Sequence, residues 1–373
     1  MQGLIVPRLS RGEHRLFDYN NLHWIEHELD RDRPRFNLVG LNKEIFRVNN
    51  PLYALQAVAS FFGDTVPDSQ GVKRERWNIV RFTDERTLEA AFSSTTRDAF
   101  LPLSAEVVLK VPPMITAEVA KIEMLSSTLA WQVQPRYQYL IQALERSRLH
   151  EVDKIVAFGL GSLTGRPSRT TNQREHALTM TVARVIRSMY PGKEIPVWVQ
   201  DPDYNEVDKF VLNFFGFRVV EGHGALGFTK IDTHTFVLNH NASFPMREIV
   251  ADLDRPAAVF WKPEIPQDQH DANPQLARTM RDVDSVRTRR MMQEYDHEPI
   301  NGSSLNLHQY YDYGQRLRGQ WRGGEIFGNS ALYIRKPPSN RPPQRVPTKL
   351  PSGNLPPRPP RRSERIRARF SKT

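Results

Sequence analysis

The chain has 373 residues, 39% of them apolar, with 28 prolines and a formal net charge of +10. It has no cysteine, which excludes disulfides, thiolate nucleophiles and cysteine-held metals. No run approaches the ~18 consecutive apolar residues of a membrane-spanning helix.

Met1-Gln-Gly-Leu-Ile-Val-Pro-Arg8 lacks the apolar core of a signal peptide, so a cytoplasmic or nuclear location is expected. Residues 1–50 are mixed and polar, and the charges from Asp30 to Arg35 read as a solvated loop. Pro51 opens a helical spacing through Leu52, Leu55, Val58, Ala59 and Phe62. Residues 77–82 read as a strand. Residues 117–124 and 134–149 read as helices, the second with Tyr137, Leu140, Ile141, Leu144 and Leu149 on one inward stripe.

That helix leads into Lys154-Ile-Val-Ala-Phe-Gly-Leu-Gly-Ser-Leu163. Its short apolar run, closed by glycine, predicts a strand buried on both faces at the centre of a parallel sheet. Regular alternation follows. Helices are expected near residues 172–190, 205–215 and 245–253, and strands at 195–200, 217–220, 235–238 and 257–261. Asn205 is placed to cap its helix. The fold class expected is therefore α/β: a Rossmann-like, mostly parallel sheet with helices on both faces, plus irregular N- and C-terminal extensions. The divisions read as 1–110 (N-terminal extension, partly helical), 111–265 (α/β domain), 266–335 (polar extension) and 336–373 (tail). Within the polar extension, residues 274–294 suit a solvated helix, Tyr310, Tyr311 and Tyr313 cluster, and residues 331–335 resemble a last strand.

Ligands of such sheets bind beyond the C-terminal strand ends. Gly159, Gly161, Ser162 and Asp201 all fall there and are the candidate cofactor-binding residues, joined on that edge by Asn239 and His240. A Gly-x-Gly after one strand and an acid after the next begin a dinucleotide or nucleoside site, the carboxylate accepting from ribose hydroxyls. The third glycine is absent, and Gly161 and Asp201 lie 40 residues apart, about twice the ~20 of the dinucleotide fingerprint. The alternative is that the glycines allow a tight strand exit and Asp201-Pro202 is a turn. Asp203 beside Asp201 suits capping of the next helix. Arg166, Arg169 and Arg174 flank the turn, either to meet an anion or as exposed residues of an insert. His223, His234 and His240 with Asp232 match no metal-ligand spacing and read as loop residues. Ser162 lacks the Gly-x-Ser-x-Gly elbow of a hydrolase.

After residue 335, eleven Lys/Arg and one acid, Glu364, account for the whole net charge, so residues 1–335 are formally neutral and give no charge argument for nucleic acid. The Pro- and Arg-rich tail has the composition of a disordered segment. Pro356-Pro-Arg-Pro-Pro-Arg-Arg362 holds Pro-x-x-Pro-x-Arg twice, the pattern that SH3-type grooves bind. The arginines also suit weak, nonspecific contacts with nucleic acid or other acidic surfaces.

Residues 117–263 resemble the Sensitivity to Red Light Reduced (SRR) family in its fungal-type form. The resemblance rests on Phe158-Gly-Leu-Gly-Ser162, Asp201-Pro202, Tyr204-Asn-Glu-Val-Asp-Lys-Phe-Val-Leu212, Gly216-Phe217, Glu221-Gly-His-Gly-Ala-Leu-Gly-Phe228 and Ala251-Asp-Leu-Asp-Arg-Pro256, in that order. Where plant and animal relatives carry Pro-His-Cys after the fourth strand, this chain has Asn239-His-Asn-Ala-Ser-Phe-Pro245. The resemblance implies an intracellular Rossmann-like domain. It is tied to signalling, circadian or growth regulation in plants and to haem or cytoskeletal phenotypes elsewhere, with no established reaction. Two functions follow as expectations. One is a regulatory protein that binds a small ligand or partner at the sheet edge. The other is a nucleotide- or S-adenosylmethionine-dependent transferase that uses Gly159, Gly161 and Asp201.

Overall fold

The computed structural model describes residues 15–31, 33–41, 43–53, 65–67, 73–92, 101–165, 169–239, 244–263, 282, 285–298, 300 and 330–337. Residues 54–62 of the first expected helix, Arg166, His240, the Tyr310–Tyr313 cluster and the Pro356–Arg362 motif lie outside them.

A seven-stranded sheet is the centre of the fold. The first strand of the α/β segment, β6 (Lys154–Phe158), lies inside it. On one side follow β7 (Val197–Gln200) and β8 (Phe217–Val219). On the other follow β9 (Thr235–Asn239), β10 (Ala258–Trp261), β12 (Ala331–Arg335) and β11 (Tyr295–Glu298). The pairs from β8 through β10 are parallel, and β12 runs antiparallel to both β10 and β11. The sheet thus draws strands from beyond residue 265. One of them, β12, is the last strand expected at residues 331–335; β11 was hidden because its Tyr-Asp-His-Glu has neither apolar run nor alternation.

Alternation along β6 explains the two layers. Ile155 and Ala157 face one core with Leu140, Ala177, Val182 and Leu212. That layer is built by α3 (Ala117–Gln132), α4 (Pro135–Arg146), α5 (Arg169–Met189) and α6 (Glu206–Phe214). Val156 and Phe158 face a second core with Phe228, Ile249 and Trp261. Here α1 (Tyr19–Asp30), α7 (Met246–Leu253) and α8 (Val286–Met292) cover the sheet. Leu16, Phe17, Leu22, Ile25 and Leu29 belong to this second core, so the N-terminal region completes the sheet's other face. The helices on both faces and the mostly parallel sheet agree with the sequence reading.

Two smaller sheets stand beside the central one. β1 (Arg35–Val39) pairs antiparallel with β2 (Ile45–Asn49), and β4 (Lys73–Phe82) pairs with β3 (Thr65–Pro67) and β5 (Leu103–Leu109); α2 (Glu85–Phe92) follows β4. In β1 only Phe36 and Leu38 turn inward, between exposed residues. The helix expected to be solvated near 274–294 is described at α8, where Arg287, Thr288, Met291 and Met292 are buried.

Arg287 is buried because acids meet it from two elements: Glu85 of α2 at 3.1 Å and Asp252 of α7 at 2.7 Å. Asp252 also accepts the backbone N–H groups of Leu16 and Phe17. A buried ion pair is costly to break, because the remaining charge has no water. This cluster fastens the N-terminal region to the second face.

Candidate functional site at the C-terminal edge of the sheet

Strand order fixes where to look. From β6 the chain moves outward to β7 and β8, then returns to β9 on β6's other side and continues to β10. The reversal makes a topological switch point between β6 and β9, with a crevice outside their C-terminal ends. Asn239, Phe158 and Gln200 lie in register across β9, β6 and β7 at that edge. The next residues on β6 and β7 are Gly159 and Asp201, two of the residues singled out from sequence.

Gly159 and Gly161 both adopt positive φ, 67° and 73°, a conformation glycine reaches without steric cost. A Cβ on Gly161 would stand 2.5 Å from Nδ2 of Asn172. Asn172, in the first turn of α5, donates from that nitrogen to the Ser162 carbonyl at 2.7 Å. The turn therefore lies directly against the helix. This helix begins at Arg169, so the polar insert is shorter than the sequence suggested.

Asp201 closes the edge. Its Oδ2 accepts the Gly161 N–H at 2.8 Å, and its Oδ1 accepts the Asp203 N–H at 2.8 Å. The acid expected to meet a ligand hydroxyl thus also joins two strand ends. A carboxylate oxygen accepts more than one hydrogen bond, so these contacts are compatible with a ligand.

Ser162 has a different place from its neighbours. It is fully buried, and its hydroxyl donates to Asp208 Oδ2 at 2.7 Å while accepting the Thr164 and Gly165 N–H groups. Asp208 also receives Leu163 N–H and the Thr164 hydroxyl. It sits at the third position of α6 and forms a capping box with Asn205, as the cap at Asn205 foreshadowed. Burial raises its carboxyl, against the pull of the Asn205, Ser162 and Thr164 hydrogen bonds. Ser162 thus fixes the loop's path, leaving Gly159, Gly161 and Asp201 as the turn and carboxylate of the edge.

Two residues missed in the sequence complete the surroundings. Glu175 of α5 is half-buried; burial and the Asp201 carboxylate push it up to about 8, while Lys262 just after β10 acts in the opposite sense. A charge pattern spanning α5 and the ends of β7 and β10 needs the strand order, which periodicity does not supply. His176, the next residue, is fully buried. Its Nδ1 meets the Asn172 carbonyl at 2.7 Å and its Nε2 meets the Tyr204 hydroxyl at 2.8 Å. A carbonyl only accepts, so Nδ1 carries the proton, and the neutral ring's Nε2 accepts from Tyr204. Burial lowers His176 to about 4 and, with nearby acids, holds Tyr204 well above its ordinary value. This neutral pair ties α5 to the segment after β7, and so holds Asn172 against the glycine turn.

Arg169, Asp232 and His223 are engaged away from this edge. Arg169 pairs with Glu123 of α3 at 3.1 Å. Asp232 pairs with Lys154 at 2.8 Å, and His223 meets Asp30 and the Asn78 carbonyl. Among the described residues no group of three or more His, Asp or Glu is arranged to hold a metal ion, and no helix is long and apolar enough to cross a membrane. A groove of about 280 Å³, lined by Thr128, Gln132, Arg184, Arg187 and Phe215, reaches Val197 and Phe217, the first residues of β7 and β8. It therefore lies at the opposite end of these strands from Asp201.

The strand order, the switch point and the glycine turn define an α/β protein of the Rossmann-like class. Residues 135–262 match the family model of the SRR1 domain, and the chain carries an SRR-type domain there. No curated protein matches the chain. Among solved structures, the crystal structure of cofactor-bound Rv0187 from MTB is similar over 58% of this chain and 90% of its own length, at 13% identity and a TM-score of 0.26. The fold assignment rests on the strand pairing described above.

Proposed function

We propose that the crevice bounded by Gly159, Gly161, Asp201 and Glu175 binds a small nucleoside-type molecule, and that the chain works as an intracellular regulatory protein through that ligand. The observation that carries the reading is the contact of Gly161 with Asp201 beside the switch point. It sets a carboxylate beside a glycine backbone turn, the pairing that accepts ribose hydroxyls in dinucleotide-binding sheets. S-adenosylmethionine is the first candidate ligand, because its ribose hydroxyls suit Asp201. The Pro356–Arg362 segment supplies an SH3-type partner site in this reading, and the remaining arginines of the tail add weak acidic contacts.

The transferase reading has one observation of its own. Open sheets with five parallel strands in this order, followed by an antiparallel strand next to the fifth, also carry S-adenosylmethionine-dependent transferases, a likeness of fold alone. Glu175 would then serve as the general base, since a carboxyl titrating near 8 exchanges protons at physiological pH.

The test is a thermal-shift panel on the full chain with nucleotides, dinucleotides, S-adenosylmethionine and haem precursors. A ligand at a hundredfold excess over its Kd adds about 2.7 kcal/mol. A hit that weakens in Asp201→Asn supports the edge site. A hit unaffected by that substitution moves the site elsewhere. Glu175→Gln separates the two readings: it keeps binding in both, and abolishes transfer to a methyl acceptor only in the second.

A further inference from the structure

The loop after β8, Glu221-Gly-His-Gly-Ala-Leu-Gly227, ends on the same edge as Asp201. Gly227 N–H donates to Gln200 Oε1 at 2.7 Å, which ties the loop to the residue before Asp201. Gly222 and Gly224 take φ of 121° and 112°. Alternating backbone of this kind turns successive N–H groups toward one point, a concavity that binds anions.

A carboxyl group is already there, and the chain supplies it. Glu26 of α1 is 2% exposed. Its Oε2 accepts the His223 N–H at 2.7 Å; its Oε1 accepts Ala225 N–H at 2.6 Å and Leu226 N–H at 3.2 Å. A Cβ on Gly222 would stand 2.6 Å from Oε2, so the loop backbone closes directly on the carboxylate. The three donors lie about 200 residues from Glu26 in sequence. Simple helix packing does not require this. Leu22, Ile25 and Leu29 already hold α1 on the sheet, and a methionine at position 26 would cost no desolvation.

We propose that residues 222–226 form an oxyanion-binding loop, and that Glu26 is its resident ligand, tethered on α1. The loop accepts a small carboxylate or phosphate in place of Glu26 when that side chain is withdrawn. Docking of α1 and binding of an anionic group at this loop are then competing events. The inference does not depend on what occupies the crevice at Gly159 and Asp201.

The test uses the full chain with Glu26→Ala and Glu26→Gln, with thermal midpoints measured in chloride, formate and inorganic phosphate at equal ionic strength. The expected result is a midpoint several degrees below wild type for Glu26→Ala, recovered in a saturable way by formate or phosphate but not by chloride. Wild type, whose loop is filled, shows no such anion-specific gain. Recovery by formate alone sizes the site for a carboxylate; recovery by phosphate as well sizes it for phosphoryl groups. If Glu26→Ala does not fold in chloride, folding in formate is the expected result. Glu26→Gln keeps the volume and one acceptor without the charge, and is expected to fall below wild type by several degrees. A Glu26→Gln midpoint equal to wild type, or a Glu26→Ala loss that neither oxyanion recovers, overturns the proposal.

Discussion

Gly161 donates its backbone N–H to Asp201 Oδ2 at 2.8 Å, across the ends of two neighbouring strands. The bond makes the glycine turn and the carboxylate one unit, so a change at either is felt by the other. Asn172 limits the turn from the helix side.

Gly161→Ala should therefore be more harmful than Gly192→Ala. It combines a φ of 73° with a Cβ 2.5 Å from Asn172. The expected loss is about 2–4 kcal/mol, strain and displacement together. Gly192→Ala is the control: its φ is 86°, but a Cβ there meets nothing within 4 Å. That variant should lose only the backbone part, about 1 kcal/mol. Urea denaturation of both separates the two effects; equal losses would mean that Asn172 yields freely.

Tyr204→Phe removes the donor to His176 Nε2 at 2.8 Å and leaves a buried nitrogen unsatisfied. A stability loss of about 1–3 kcal/mol is expected. The wild type should also weaken in acid. His176 is lowered from an ordinary 6.5 to about 4 in the folded chain. Its contribution is therefore present above pH 6.5 and declines as pH falls toward 4, because the unfolded chain takes the proton first. Replacing His176 with Gln should flatten that limb of a stability–pH curve.

Glu248 predicts the opposite limb. It is fully buried, and burial pushes it from 4.5 up to about 8, against its hydrogen bond from Glu85 N–H and the charge of Arg287. A raised carboxyl stabilises the fold most fully below pH 4.5, and that share is lost as pH rises through about 8. Glu248→Gln keeps an acceptor for Glu85 N–H without the titration. The midpoint of this variant should fall less than wild type's between about pH 4.5 and 8. Glu175 is raised to a similar value, so the double variant should be flatter still.

The sequence made the central sheet readable because Ile155 to Phe158 are buried on both faces, and a doubly buried strand is a continuous apolar run. Asn205 was readable because a cap depends only on the residues just after it. Glu26 was not. Its partners lie about 200 residues away, and within α1 it is one polar residue among several. His176 sits beside Ala177 in a helix whose apolar spacing is satisfied either way. Glu175 acquires its raised value from Asp201 and Lys262, residues brought near by strand order rather than by local pattern. The hairpin of β1 and β2 was lost because only Phe36 and Leu38 in its first strand point inward, next to the charges of residues 30–35.

Asp201 and the glycine turn are proposed to form a ligand-binding edge. The most direct test is titration calorimetry of S-adenosylmethionine into the full chain and into Asp201→Asn, with circular dichroism to show that both are folded. Saturable binding to wild type is expected, with at least tenfold weaker binding to the variant, the loss of about 1.4 kcal/mol or more that follows when a charged acceptor is removed. Equal affinity for the two proteins would contradict it.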